Sequence, residues 1–172
     1  MAHGFDDYRV FLSAPGDLDP DRAAVHDILA RVNEAVAMPA NILLVTVGLR
    51  ENGQIDGNRA IVSDNVRWSS YFIQLFQDDW GPRDLFRKLF LLALECRDNP
   101  EMPMRDVVVC VKNAPHESNP EILAFRKELL EMQGVRAFAY DTVEELRAHL
   151  ERVSTEWAQS LIAASAGAGA AS

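Results

Sequence analysis

Cysteine is scarce in this chain: Cys96 and Cys110 are the two among 172 residues. Each lies in an apolar run with no second Cys or His at ligand spacing, so zinc is not supported and both read as buried, inert thiols. No run approaches the roughly 20 apolar residues of a membrane span. The segment Met-Ala-His-Gly-Phe-Asp-Asp at the start lacks the cationic and apolar regions of a signal peptide, which points to a reducing, cytoplasmic setting. Bases are few: 17 Lys and Arg stand against 26 acids, a formal charge of −9. That balance opposes a phosphate-tracking surface and excludes nucleic acid as the expected partner. No GxxxxGK[ST] or GxGxxG loop occurs, which argues against nucleoside triphosphate hydrolysis. His3, His26, His116 and His149 are scattered and form no Ser/His/Asp or Cys/His grouping.

What is present is an ordinary globular composition, 48% apolar and 25% charged, in a length that buries roughly 70% of the unfolded surface. Five β-type runs fall at 8–13, 42–47, 71–76, 107–111 and 136–140. The run Val107-Val-Val-Cys-Val111 is apolar without alternation, as in a strand covered on both faces. Val25, Ile28, Leu29, Val32 and Val36 carry helical spacing, as do Ile122, Phe125, Leu129 and Met132, with Gly134 as a stop. Residues 84–96 are apolar around most of a helix and predict a largely enclosed one. A last helix starts near Thr142, with Glu145 completing a capping-box pattern; Val143, Leu146, Leu150, Val153, Trp157 and Leu161 form its apolar face. Alternating strands and helices imply right-handed crossovers and a parallel sheet. The expected fold is therefore a three-layer, flavodoxin-like α/β domain with a five-stranded parallel sheet in the order 2-1-3-4-5, spanning 1–162. The Ala/Gly/Ser segment 163–172 is expected to be an unstructured tail.

In this topology the loops 13–19, 46–57 and 77–84 meet at the carboxyl edge of the sheet, where such folds build a ligand crevice. The first follows Arg9-Val-Phe-Leu-Ser-Ala-Pro-Gly-Asp-Leu-Asp-Pro-Asp-Arg22. Here Ser13, Ala14, Gly16 and Asp17 offer a hydroxyl, main-chain amides and a carboxylate to a polar ligand group. Asp19 is placed to cap the helix, with Pro20 at its first position and Asp21 at the positive end of its dipole. Pro15, Gly16 and Asp17 equally suit a plain turn. Trp80 and Gly81 put an aromatic ring beside flexible backbone, fit for stacking on a base or sugar or for packing. The pairs Asp78–Asp79 and Asp6–Asp7 read as solvated carboxylates before a cation site, and no metal or required cofactor is expected. Trp157 and Leu161 either pack on the sheet or form a self-complementary dimer patch.

The same Arg9–Arg22 stretch resembles the opening of TIR-like domains of the uncharacterised bacterial and animal type. There a strand ending in Ser-Ser or Ser-Ala-Pro-Gly-Asp precedes a helix starting near Glu-Arg. Ser63-Asp64 and Tyr71-Phe-Ile-Gln-Leu-Phe-Gln-Asp-Asp-Trp-Gly81 continue the likeness over about residues 8 to 140, and nucleoside deoxyribosyltransferases share the general architecture. The resemblance implies a bacterial defence or innate-immune signalling module that associates with itself or another protein, with NAD or a nucleotide as the ligand class. Active relatives cleave the nicotinamide–ribose bond with a glutamate set four residues before a small residue, in the pattern Glu-x-x-x-Ala. Counting back from Ala93 lands on Leu89, so the resemblance implies a module without the usual acid. The alternative is an NAD nucleosidase or nucleoside-transferring enzyme using a displaced carboxylate, with Asp84 or Glu95 as the catalytic candidates.

Overall fold

A computed structural model describes residues 4–48, 59–79 and 85–170. Among these, five strands form one sheet: β1 (Asp6–Ser13), β2 (Ile42–Gly48), β3 (Tyr71–Phe76), β4 (Asp106–Lys112) and β5 (Arg136–Tyr140). Their order is β2-β1-β3-β4-β5 and each pairing is parallel, as the alternation of strand and helix predicts. The helices are α1 (Asp19–Val32), α2 (Arg59–Arg67), α3 (Leu85–Asp98), α4 (Pro120–Glu131) and α5 (Val143–Ala170).

The pleat divides the core in two. Val10 and Leu12 of β1, with Tyr71, Ile73 and Leu75 of β3, pack under α1 and α5; Phe11, Phe72 and Phe76 pack under α2 and α3. Alternate residues of one strand must point to opposite faces, so β3, apolar throughout except Gln74, feeds both cores and is buried along its whole length. Within the second core the rings of Phe11 and Phe72 stack at 5.5 Å across the β1–β3 pair.

Three expectations need correction. Of the stretch 84–96, the described residues 85–96 are not an enclosed helix. Phe86, Leu89, Phe90, Ala93 and Cys96 make a one-sided stripe, while Leu91 is 48% exposed. Asp19 does not cap α1, because a 3-10 turn over Gly16–Leu18 runs directly into the helix and gives Asp19 helical dihedrals. The N-cap position falls on Leu18, which has no side-chain oxygen to offer. The small-residue segment is not unstructured as far as Ala170, since α5 continues to that residue. Alanine has the most favourable helix propensity of any residue and extends a helix that packing has already nucleated. Of the two readings of Trp157 and Leu161, packing is the one the structure shows: they are 4% and 1% exposed and belong to the α1–α5 core.

The capping box survives in modified form. Thr142 Oγ1 accepts from the Glu145 amide at 3.2 Å, and the Glu145 carboxylate accepts from the Asp141 amide rather than from that of Thr142. Both cysteines are buried and burial raises each thiol pKa, that of Cys110 well above the ordinary range, in line with inert thiols. No helix among the described residues is long and apolar enough to cross a membrane.

Tyr71 gives the fold an alkaline limit. Burial, opposed in part by Arg105, pushes its phenol up to about 12 from an ordinary 10. A folded-state pKa above the unfolded one favours the folded state fully below pH 10, and that contribution is lost as pH rises towards 12. The urea midpoint is therefore expected to fall across this window, and to fall less in Tyr71→Phe. Equal slopes for the two proteins would reject the assignment.

Candidate functional site

The carboxyl edge is built by the ends of β1 to β5 and the start of α1. Beyond Ser13 the chain runs through Ala14 and Pro15 into the 3-10 turn, where the Leu18 amide donates to the Pro15 carbonyl at 3.1 Å. Asp21 and Arg22 follow in the first turn of α1, and both are buried. The Asp21 carboxylate receives the Lys112 ammonium at 3.2 Å and the Tyr140 hydroxyl on its other oxygen. Thus a residue expected at the positive end of the helix dipole is found in the first turn of α1 and also ties it to the far ends of β4 and β5. Burial and the Asp21 carboxylate both raise the Tyr140 pKa, keeping the phenol a donor. The Arg22 guanidinium turns back and donates to the Ala14 carbonyl at 2.5 Å, fixing the loop that leaves β1.

A second set of bonds laces the remaining strand ends. Arg126 of α4 donates to the Gln77 carbonyl, and the Gln77 side chain donates to the Asn113 carbonyl at 3.1 Å. The Asn113 amide donates to the Tyr140 carbonyl at 2.8 Å. The Ala14, Gln77 and Asn113 carbonyls at this edge are thus held by side chains and the Tyr140 carbonyl by a main-chain amide.

Of the expected binding residues, Ser13, Ala14, Gly16 and Asp17 lie together between β1 and α1, with Asp17 exposed and the Ser13 and Ala14 side chains buried. By strand alternation Ser13 faces the α2–α3 layer with Phe11. Among the described residues its hydroxyl has no hydrogen-bond partner, and neither does Oε1 of Gln74, which sits opposite it in the β1–β3 register. The Gln74 amide nitrogen donates to the Ser13 and Leu75 carbonyls at 3.1 and 2.9 Å. Trp80, Gly81 and Asp84 lie outside the described residues. Glu95 is exposed on α3, off the stripe that faces the sheet.

Three hollows adjoin this edge. One of about 360 Å3 is lined by Asp19, Arg22, Ala23, His26 and Gly48, where the start of α1 meets the end of β2. A Cβ on Gly48 would come within 2.7 Å of the Leu12 carbonyl, so the close β1–β2 approach requires glycine there. A second of about 380 Å3 lies on the other face, against Phe11, Val47, Gly48 and Val62. The third, about 570 Å3, opens between α3 and α4 beside Phe76 and Phe125, with Asp78, Asp79, Glu121 and Glu128 at its rim. The Arg87 guanidinium lies 5.6 Å from the Phe125 ring centre. Among the described residues no three His, Cys, Asp or Glu side chains are grouped to hold a metal ion.

Sequence reasoning points to this edge of the sheet but does not single out Lys112, Tyr140 or Gln74. Gln74 carries a legible signal, being the lone polar residue of an otherwise apolar strand. Lys112 and Tyr140 stand at the carboxyl ends of strands, the positions from which such folds reach into a crevice.

No family model matches the chain, and no curated protein does. Among solved structures, a de novo designed P-loop-fold protein determined in solution by NMR is similar over 87% of this chain and 90% of its own. The identity is 13% and the TM-score 0.43.

Proposed function

We propose that this chain is a TIR-like signalling or defence module that works through protein association, and that its carboxyl-edge crevice takes a nucleotide-sized ligand without cleaving it. The observation that carries the reading is Leu89. It is 3% exposed and packs in the α2–α3 core with Phe86, Phe90 and Ala93, at the position where the resemblance calls for a glutamate. Glycosidic cleavage needs a carboxylate to stabilise the oxocarbenium-like centre, and a buried isobutyl group supplies neither charge nor hydrogen bond. Glu95 stands six residues along α3, about 9 Å further down the axis, and is exposed. The motif that carries the resemblance supports the same reading. Asp21 and Arg22 are engaged with Lys112, Tyr140 and the Ala14 carbonyl, so they shape the crevice and the Asp21 carboxylate is taken up by its own partners.

Incubation of the full chain with NAD, followed by chromatographic measurement of free nicotinamide, tests this. The expected result is no release above the rate without protein, even at high protein concentration. Release that Asp84→Ala abolishes would overturn the reading and make the chain a nucleosidase working through a displaced acid.

A further inference from the structure

The two edges of the sheet are finished differently. On the β2 side the Asp6 amide bonds to the Asn41 carbonyl at 3.0 Å, so main-chain groups of alternate residues from Asn41 onward turn towards β1. Those of Ile42, Leu44, Thr46 and Gly48 turn off the sheet. Asn33 closes the middle of that row, its side chain exchanging two hydrogen bonds, at 2.9 and 2.8 Å, with the carbonyl and amide of Leu44.

On the β5 side the Asn113 amide bonds to the Tyr140 carbonyl, so Arg136, Phe138 and Tyr140 turn towards β4. Ala137 and Ala139 therefore direct their amides and carbonyls outward. Among the described residues no side chain seals either alanine as Asn33 seals Leu44. Ala139 is exposed and both side chains are single methyl groups, so nothing bulky keeps another strand away. An open edge of this kind is a template for strand addition.

We propose that β5 pairs antiparallel with β5 of a second copy, about a two-fold axis at Phe138, so that two five-stranded sheets become one. The inference rests on the association reading above and names its partner. The register is self-complementary, as an isologous contact must be. Ala137 of each copy exchanges both main-chain bonds with Ala139 of the other. Phe138 falls opposite Phe138 in the close, non-hydrogen-bonded arrangement, each ring staying stacked on His149 of its own chain at 4.1 Å between centres. Arg136 falls opposite Tyr140, and Val135 opposite Asp141, so no like charges face each other. The Arg136 cation is already held by Asp106 at 3.2 Å and by Glu156, and pairing leaves it no worse placed. Each copy carries a formal charge of −9, which opposes approach at low ionic strength and is screened by salt.

Sedimentation of the full chain over a concentration series, at low and high salt, tests the pairing. The mass is expected to rise from 19.2 kDa to twice that value, at lower concentration in high salt. Ala139→Pro removes an outward amide that the fold does not use, the setting in which an edge strand tolerates proline. It is expected to weaken association about tenfold or more with an unchanged near-ultraviolet circular dichroism spectrum. If that variant does not fold, hydrogen exchange on the unaltered chain decides, with the Ala137 and Ala139 amides expected to slow as concentration rises. A mass of 19.2 kDa throughout, an association unaffected by Ala139→Pro, or concentration-independent exchange at both amides would each overturn the pairing. Those results leave the association reading in place with a different partner, whereas nicotinamide release removes that reading on its own.

Discussion

Trp157→Ala is expected to lower the unfolding free energy by about 3–5 kcal/mol, the range for truncating a large buried aromatic. The indole is 4% exposed and stacks on Tyr71 at 4.2 Å between ring centres, with the planes 13° apart. Its Nε1 donates to Asp106 Oδ2 at 2.8 Å. One side chain therefore joins α5 to β3 and β4 together. Trp157→Phe keeps the ring against Tyr71 and loses the donated bond, and because Asp106 retains Arg136 the expected loss is smaller, about 1 kcal/mol. Urea unfolding of both variants checks the ordering, provided the slope of each transition matches the parent. Domains of this size have a total stability of about 5–15 kcal/mol, so the alanine variant sits near the threshold of folding. A loss below about 1 kcal/mol for Trp157→Ala would mean that α5 docks without its indole anchor.

The second large effect is expected at Asn33. This residue stands where α1 gives way to a π-helical turn over Asn33–Ala37, which shifts the helix surface by one residue. Its carboxamide thereby reaches Leu44 and imitates the missing neighbour of an edge strand. Asn33→Ala leaves the Leu44 amide and carbonyl unpaired, at a combined cost of about 2–4 kcal/mol. Asn33→Asp is expected to be worse at neutral pH, since a carboxylate accepts from the Leu44 amide but repels its carbonyl. Protonation restores a donor, so the aspartate variant should regain stability as the solution is acidified. Chemical unfolding at neutral and mildly acidic pH measures the difference. An aspartate variant as stable as the parent at neutral pH would show that the Leu44 pair adds nothing.

The strands were legible in the sequence because their signal is local. All five apolar runs became strands, and each end moved by two residues or fewer. β1 begins at Asp6 rather than at Tyr8, since an exposed Asp6–Asp7 start can extend a strand beyond the core without apolar residues. Helix α2 was not legible. Its described buried residues are Val62 and Val66, one helical turn apart, and a polar stretch before them conceals the start. The enclosed reading of α3 failed because leucine content reports apolarity all round a helix, while the sheet covers only one side of it. At the carboxyl edge the pattern marked the end of β1 and the approach to α1, since Ser-Ala-Pro-Gly-Asp breaks a strand and begins a helix. It could not pair Asp21 with Lys112 and Tyr140, which lie 91 and 119 residues away. Periodicity says which face a side chain takes, and nothing in it says whom it meets there.

The seating of α5 against α1 bears on how the chain emerges from the ribosome. Val25, Ile28, Leu29 and Val32 share one core with Leu146, Leu150, Val153 and Trp157, so that face of the sheet gains its cover from residues made after all five strands. Until α5 is synthesised, the nascent chain carries a greasy, half-built surface open to a chaperone or a neighbouring chain. Truncation before α5 is thus expected to yield an aggregating product rather than a smaller folded one.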